Sequence, residues 1–280
     1  MKTGEVPYKD LYIYLLSGVV TEWEEQDLGD EFVGNWVEDD CSFLFFGRSA
    51  GDDVARLINT RPDLELIETH HFTYDQWQGG GFSGLKVAGF VIAPPWQTHD
   101  PDEQGVRIVL DPGVVFGNGL HPTTGDCLRA IALANETQPL IRLLDLGTGT
   151  GILALAAALS GAQSVLAVDI NPLCVRTAIR NVNLNGLGNI IEVVKGRAED
   201  FGDDLADMVV ANIHHEVIKR LVEDGGFRNA RRLIISGLLR SQFFEVRAQI
   251  EKDRFKVLRQ WDYEMTWFTL LAQRKGNNRK

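Results

Sequence analysis

The sequence predicts an α/β protein in which a doubly wound, mainly parallel sheet follows a smaller α+β module. From residue 121 to residue 252, short apolar runs alternate with helical segments. This alternation is typical of parallel strands joined by right-handed helical crossovers. The last two apolar runs, at 255–261 and 267–271, have no helical segment between them. We therefore expect one antiparallel strand to be inserted at the end of the sheet.

The first third of the chain predicts the α+β module. Three stretches have the composition and alternation of strands, and one short helix opens at Gly51-Asp52-Asp53. The strands are expected at 11–16, within 32–46 and at 64–72, and the helix at 50–58.

A glycine-rich break at 78–84 marks the end of this module and predicts a loop or hinge. Strand-like runs follow on both sides of the 94–105 region, and Pro94-Pro95 ends the first of them. We expect the small module to span 1–75, a linker to span 76–104, and a second domain to span 105–280.

The second domain is predicted to contain helices and strands in alternation. Asn171 and Pro172 mark one helix start clearly, because asparagine caps free backbone amides and proline fits the first helical turn. Strands are expected at 143–145, 164–168, 190–194, 205–213 and 231–236. Helices are expected at 122–135, after Gly151, and at 172–184, 217–222 and 241–252.

The net charge of −11 is concentrated in the N-terminal part. Residues 1–100 carry about 18 acidic and 6 basic side chains, whereas the remainder is close to neutral. An acidic surface repels the phosphate backbone of nucleic acids and attracts basic proteins. We therefore expect no direct binding to nucleic acid. The acidic surface is either a docking site for a basic protein or a solvated face that only keeps the protein soluble. The acidic cluster consists of Glu22, Glu24, Glu25, Asp27, Asp30 and Glu31.

The chain shows the features of a cytoplasmic protein. No apolar run reaches the roughly 18 residues that span a bilayer, and the first ten residues lack the apolar core of a secretory signal. Cys41, Cys127 and Cys174 form no CxxC pair, which is typical of reduced thiols. We therefore expect a cytoplasmic location.

The segment 143–171 carries the strongest chemical signal. A strand containing Asp145 is followed by Gly147, Gly149 and Gly151, then by a helix and a second strand that ends at Asp169. Glycines allow the backbone to approach a ligand without a Cβ clash, and an acidic residue at the second strand's end can accept hydrogen bonds from ribose hydroxyls. This unit predicts a cleft for a cofactor that contains adenosine.

The spacing of the glycines favours one cofactor class. Dinucleotide sites usually have GxGxxG, whereas this turn has GxGxG. S-adenosylmethionine needs no pyrophosphate site, and Asp145 suits its α-amino group. Methyl transfer is thus the favoured function, with a dinucleotide enzyme and a degenerate binding domain as alternatives.

Two further motifs flank the glycine unit. In the upstream segment 111–125, Gly117 and Gly119 predict a mobile loop, and Thr124 lies in a helix start whose free amides favour a carboxylate such as that of methionine. The alternative is that this segment only forms a turn and caps the helix, without binding a ligand. Downstream, Asn212 ends a strand at the ligand-binding edge of the sheet, where its carboxamide can orient an amine or cap the next helix.

The histidines His214 and His215 are candidate acceptor-site residues. They follow Asn212 closely, and a neutral histidine can take the proton that an amine must lose before methylation. The alternative is that both histidines only pack on the surface at the start of a helix. No histidine or cysteine spacing predicts a metal site, and the absence of GxSxG argues against a serine hydrolase.

The combination HPTT, DLGTGTG, VDIN and VVANI, in this order, resembles the ribosomal protein L-11 methyltransferase family (PrmA-type) over roughly residues 105–275. The resemblance implies a seven-stranded, Rossmann-like class I methyltransferase sheet with a ferredoxin-like N-terminal domain that recognises the substrate. It implies S-adenosylmethionine as cofactor and amino groups of a basic ribosomal protein of the L-11 type, on lysine or the N-terminus, as acceptors. It also makes Thr124, Gly147, Asp169 and Asn212 cofactor contacts and Phe116, Gly117 and Gly119 a flexible cover over the methionine end.

The chain departs from the family pattern at two places. The family's FGTGTH is FGNGLH here, and where the family has NIL followed by small residues this chain has Asn212-Ile213-His214-His215-Glu216. Because both departures fall where acceptor and cover meet, another protein or a small molecule remains an alternative acceptor. A regulatory protein that binds cofactor without turnover is a further alternative.

Overall fold

The computed structural model describes residues 8–80, 84–98, 102 and 104–276. It divides into two compact units, Met1–Ser83 and Gly84–Lys280. Part of the predicted hinge at 78–84, namely residues 81–83, lies outside the described residues. Within the described part of the chain, no helix combines the length and apolar character needed to cross a membrane.

The first unit contains a four-stranded antiparallel sheet with the order β2-β3-β1-β4. This is the strand order of a ferredoxin-like fold. The core is formed by one face of helix α1, through Val54 and Leu57, against Tyr14, Leu44 and Phe46 of the sheet. The elements are β1 (Asp10–Ser17), β2 (Phe32–Glu38), β3 (Cys41–Phe46), α1 (Gly51–Thr60), β4 (Glu65–Thr73) and α2 (Tyr74–Trp77).

The connection between β1 and β2 differs from the full helix of a ferredoxin-like fold. It contains only a four-residue 3₁₀ helix, Glu24–Asp27. The dense acidic cluster disfavours a longer helix, because like charges one turn apart repel each other. Glu24 instead accepts the Thr21 amide at 2.8 Å and forms an ion pair with Arg61.

The second unit begins with a small three-stranded sheet. Strands β5 (Leu85–Val87) and β6 (Phe90–Ala93) are antiparallel, and β7 (Val106–Val109) lies parallel to β6. Strands β5 and β6 therefore fall within the range that the sequence predicted as a linker.

The main sheet of the second unit has seven strands in the order β10-β9-β8-β11-β12-β14-β13. Strand β14 is antiparallel to both neighbours, β12 and β13, while the other pairs are parallel. The predicted doubly wound α/β fold with one inserted antiparallel strand is confirmed. Its strands are β8 (Arg142–Leu146), β9 (Ser164–Asp169), β10 (Ile191–Lys195), β11 (Met208–Asn212), β12 (Arg232–Leu239), β13 (Phe255–Tyr263) and β14 (Trp267–Arg274).

Helices cover this sheet and complete the core. They are α3 (Pro122–Thr137), α4 (Ile152–Leu159), α5 (Pro172–Leu184), α6 (Ala198–Phe201), α7 (His215–Glu223) and α8 (Arg240–Lys252). Helix α4 is apolar along its whole length and almost entirely buried, as expected of a helix inside the core. Because β8, β9 and β11 are parallel neighbours, their carboxyl ends lie at one edge of the sheet, with Asp145, Asp169 and Asn212 near those ends.

Candidate active site at the carboxyl edge of the sheet

The glycine turn, residues 147–151, connects β8 to α4. Gly147, Gly149 and Gly151 have φ angles of 71°, 56° and 84°, a region that side-chain-bearing residues rarely adopt. The amides of Gly147 and Thr148 both donate to the Val168 carbonyl, at 2.8 and 3.0 Å. A Cβ at Gly149 would lie 2.7 Å from the Phe116 carbonyl oxygen, so only glycine fits there.

Asp145 is a buried carboxylate at the base of this turn. Its Oδ2 accepts the Thr148 hydroxyl at 2.6 Å, whereas its Oδ1 has no partner with normal hydrogen-bond geometry. Burial raises the pKa of Asp145 to about 7, against the lowering effects of the Thr148 hydroxyl and the Ala154 amide. A cation beside Asp145 would favour its ionised form.

Asp169 ends β9 beside the same turn. Its Oδ2 accepts the Gly149 amide and its Oδ1 accepts the Asn171 amide, each at 2.9 Å. Burial raises its pKa. The Cys174 thiol and the Ile170 amide also act to lower this pKa, and an ionised carboxylate can only accept hydrogen bonds. The next residue, Ile170, is 63% exposed and places an apolar side chain next to this carboxylate.

The segment predicted as a cover, from Phe116 to Gly119, contacts the glycine turn directly. The Thr150 amide donates to the Phe116 carbonyl at 3.2 Å, and the Thr150 hydroxyl donates to the Gly117 carbonyl at 2.7 Å. Gly117 and Gly119 have φ angles of 109° and 91°. The Phe116 side chain is half exposed, so an apolar ring is available at the rim of the site.

The start of α3 and the end of β11 meet at Thr123. The Thr123 Oγ1 lies 2.7 Å from His121 Nδ1 and 3.3 Å from Asn212 Nδ2. Burial lowers the pKa of His121, which favours a neutral ring whose Nδ1 accepts the Thr123 hydroxyl. The Asn212 amide group then donates to Thr123, and its Oδ1 is left as an acceptor. The neighbouring Thr124 Oγ1 is buried without a hydrogen-bond partner.

The two histidines after β11 have different surroundings. His214 is exposed at the N-terminus of α7. The side chain of His215 is only 10% exposed, and its Nε2 lies 3.8 Å from Glu245 of α8. His215 therefore faces α8. Among the residues that the structure describes, no group of three or more His, Cys, Asp or Glu is arranged to hold a metal ion.

Several residues of the site were missed by sequence reasoning. Ile170 follows Asp169, and Thr150 lies between Gly149 and Gly151. Their positions next to predicted site residues could have identified both. Asn181 of α5 is fully buried and contacts the glycine turn through the Thr150 carbonyl at 2.8 Å. Its only sequence signal is the pair of asparagines, Asn181 and Asn185, spaced one helical turn apart.

The strand order of the main sheet is that of the class I methyltransferase fold. A family model described as ribosomal protein L11 methyltransferase (PrmA) matches residues 67–275. The chain belongs to the ribosomal protein L11 methyltransferase family, and the resemblance predicted from the sequence is confirmed.

Individual relatives agree with this assignment. A protein named ribosomal protein L11 methyltransferase from Geobacillus kaustophilus is 40% identical to this chain, and the match covers 56% of this chain and 51% of the relative. A protein of the same name from Heliobacterium modesticaldum is 38% identical, and the match covers 66% of this chain and 58% of the relative. The chain thus spans little more than half the length of these relatives. A crystal structure of ribosomal protein L11 methylase from Lactobacillus delbrueckii subsp. bulgaricus has a TM-score of 0.60 at 30% identity, and covers 69% of this chain and 100% of that one.

Proposed function

We propose that this protein is an S-adenosylmethionine-dependent methyltransferase that modifies amino groups of a ribosomal protein of the L11 type. The observation that carries the proposal is a pair of buried polar atoms without partners, Asp145 Oδ1 and Thr124 Oγ1. Both belong to segments that meet at the carboxyl edge of the main sheet. Buried polar atoms of this kind are normally satisfied, and a bound ligand with polar groups would satisfy them.

The residues present suit the chemical groups of S-adenosylmethionine. Asp145 would hold the cationic α-amino group, and Thr124, in the first turn of the 16-residue helix α3, would hold the carboxylate near the free helix amides. Asp169 would accept the ribose hydroxyls, and the exposed side chain of Ile170 would lie against the adenine. Phe116, Gly117 and Gly119 would cover the methionine end.

The chain's own residues would align an amine and exclude water. When bound, the cofactor supplies an activated methyl group. The Asn212 Oδ1, oriented through Thr123, would accept a hydrogen bond from the acceptor amine and direct its lone pair. Alignment of this kind is worth roughly 7–11 kcal/mol in favourable cases.

The acceptor amine must be neutral before it reacts, since free lysine has a pKa near 10.4. A site lined by Phe116 and closed by the cover would lower that pKa by desolvation. His214, exposed beside Asn212, and His215 are proposed to assist or shape this acceptor pocket.

The substrate partner is proposed to be a basic protein. The acidic residues of the first unit, including Glu22 and Glu25, would attract it, and the region 1–75 is proposed as the substrate-recognition domain. The relatives' name, ribosomal protein L11 methyltransferase, supports a ribosomal protein as that partner. The same acidic surface argues against direct binding to nucleic acid.

Calorimetric titration tests the cofactor assignment. We expect the full chain to bind S-adenosylmethionine and S-adenosylhomocysteine and to show no heat of binding with NAD. An Asp169→Ala variant should weaken both nucleoside ligands, because each would lose its ribose partner. Binding of NAD in preference to S-adenosylmethionine would contradict the proposal.

A further inference from the structure

Helix α5 and its C-terminal cap carry two asparagines that bind the end of β7 and the extended segment that follows it. Asn185 accepts the Val109 amide at 2.9 Å and donates to the Val109 carbonyl at 2.7 Å. Asn181 accepts the Asp111 amide at 2.8 Å and donates to the Asp111 carbonyl at 3.0 Å. The two carboxamides therefore pair with alternate residues of the segment, as a neighbouring strand would.

The third hydrogen bond distinguishes the two asparagines. Asn181 Nδ2 also donates to the Thr150 carbonyl in the glycine turn, at 2.8 Å. The Nδ2 of Asn185 instead donates to the Asn181 carbonyl of its own helix, also at 2.8 Å. Asn181 is fully buried, so water cannot readily replace its bonds. Asn181 thus joins the segment to the glycine turn, whereas Asn185 joins the segment to α5 alone.

Thr150 extends this link to the cover. Its amide and hydroxyl hold the carbonyls of Phe116 and Gly117, while its own carbonyl is held by Asn181. Asp111, in the segment that leads into the cover, is wholly buried and also forms an ion pair with Arg180. Both the segment that leads into the cover and the cover itself are therefore fixed relative to the same turn.

We infer that Asn181 is a positioning residue that sets the distance between the glycine turn and the cover over the methionine end of the cofactor. The inference deepens the proposed function and rests on it for its effect on ligand binding. The link ends on the Thr150 carbonyl, whereas Asp169 is held by the Gly149 amide and, independently of the turn, by the Asn171 amide. Loss of Asn181 should therefore weaken recognition of the amino-acid end of S-adenosylmethionine and spare the adenosine end.

Amide hydrogen exchange on the unliganded protein tests the link itself. Asn181→Ala is expected to raise exchange rates about tenfold, the equivalent of one buried hydrogen bond, in both the 111–119 segment and the glycine turn. Asn185→Ala is the matched control, because it breaks the same kind of pairing on the same helix; faster exchange should stay near Val109. The same pattern in both variants would overturn the inference.

Ligand selectivity tests the consequence. For Asn181→Ala we expect the Kd of S-adenosylmethionine to rise about tenfold, while the Kd of 5′-methylthioadenosine, which lacks the amino-acid end, stays within about twofold. For Asn185→Ala both values should stay close to wild type. Equal weakening of both ligands by Asn181→Ala would indicate general destabilisation and overturn the inference.

Failure of the proposed function and failure of the inference about Asn181 give different results. If the wild-type protein binds neither ligand, the proposed function is contradicted, and the exchange comparison still decides whether Asn181 links the two segments. If Asn181→Ala does not fold, Asn181→Leu fills the buried site with a side chain of nearly the same shape and removes the same hydrogen bonds. Exchange should then rise in the 111–119 segment and in the glycine turn and stay unchanged at Val109; unchanged exchange in the glycine turn would overturn the inference.

Discussion

Asp169 accepts a hydrogen bond from the Gly149 amide at 2.9 Å, which joins the end of β9 to the middle of the glycine turn. The carboxylate is also held by the Asn171 amide. Two backbone donors fix its position without any ligand, so binding to this carboxylate requires little reorganisation. The turn and the carboxylate therefore form one preformed unit.

Gly149→Ala should damage this unit more than its backbone angle alone predicts. The new Cβ would lie 2.7 Å from the Phe116 carbonyl oxygen, a clash that adds about 1–3 kcal/mol to the roughly 1–2 kcal/mol cost of a positive φ. Gly186→Ala is the matched control, because Gly186 has a φ of 66° and no neighbour within 4 Å. Chemical denaturation should show the larger loss for Gly149→Ala; equal losses would contradict the close approach of the cover.

The affinity for S-adenosylmethionine should rise with pH up to about 7. Burial raises the pKa of Asp145 to about 7, so below that pH the folded protein holds a proton on Asp145. A cationic amino group favours the ionised form, and binding must release this proton. Below the pKa, affinity should fall by about tenfold per pH unit. Calorimetry in two buffers of different ionisation enthalpy measures the proton release.

Asp145→Asn is the control for this pH dependence. The carboxamide has nearly the same shape and does not titrate in this range. The variant should bind more weakly at pH 8 and show a flatter profile between pH 5.5 and 8. A wild-type affinity that does not change across pH 7 would rule out Asp145 as the partner of the amino group.

Thr123 should affect turnover more than cofactor binding. Thr123→Val removes the hydroxyl that joins His121 to Asn212, so the Asn212 carboxamide loses the contact that fixes which end is the acceptor. We expect kcat to fall by about tenfold or more, the equivalent of one lost hydrogen bond to a neutral group. Thr123→Ser keeps the hydroxyl and should retain most of the activity. Equal activity of the two variants would contradict the orienting role.

His214 and His215 can be separated by single substitutions. His214 is exposed beside Asn212, whereas His215 faces Glu245 of α8. His214→Ala is expected to change turnover or acceptor preference, and His215→Ala is expected to act mainly through the contact between α7 and α8. Turnover and acceptor preference that are unchanged in both variants would remove the histidines from the acceptor pocket.

Much of the second unit could be predicted from its sequence because local patterns determine it. Alternating strands and helices imply a parallel sheet, and parallel strands end at one edge. Asp145, Asp169 and Asn212 follow from that rule, since each lies at or near a strand end. The inserted strand β14 followed from the missing helix after β13.

The remaining features depend on contacts between distant parts of the chain. Asn181 contacts Asp111 across 70 residues, and nothing near Asn181 in the sequence indicates a partner. Likewise, the strand-like run that contains β6 was predicted, but nothing near it in the sequence indicates that β6 pairs with β5 and β7 in a separate small sheet. The short 3₁₀ helix between β1 and β2 reflects charge repulsion in the acidic cluster, which strand and helix patterns do not capture.

Methyl transfer to ribosomal proteins tests the central claim most directly. The full chain would be incubated with S-adenosylmethionine labelled in the methyl group and with purified ribosomal proteins, and a cell extract would serve as a wider pool of acceptors. We predict label on one basic ribosomal protein of the L11 type, recovered after hydrolysis as methylated lysine or a methylated N-terminal amine. Label on no protein in either pool, from a chain that binds the cofactor, would contradict the assignment as a protein methyltransferase.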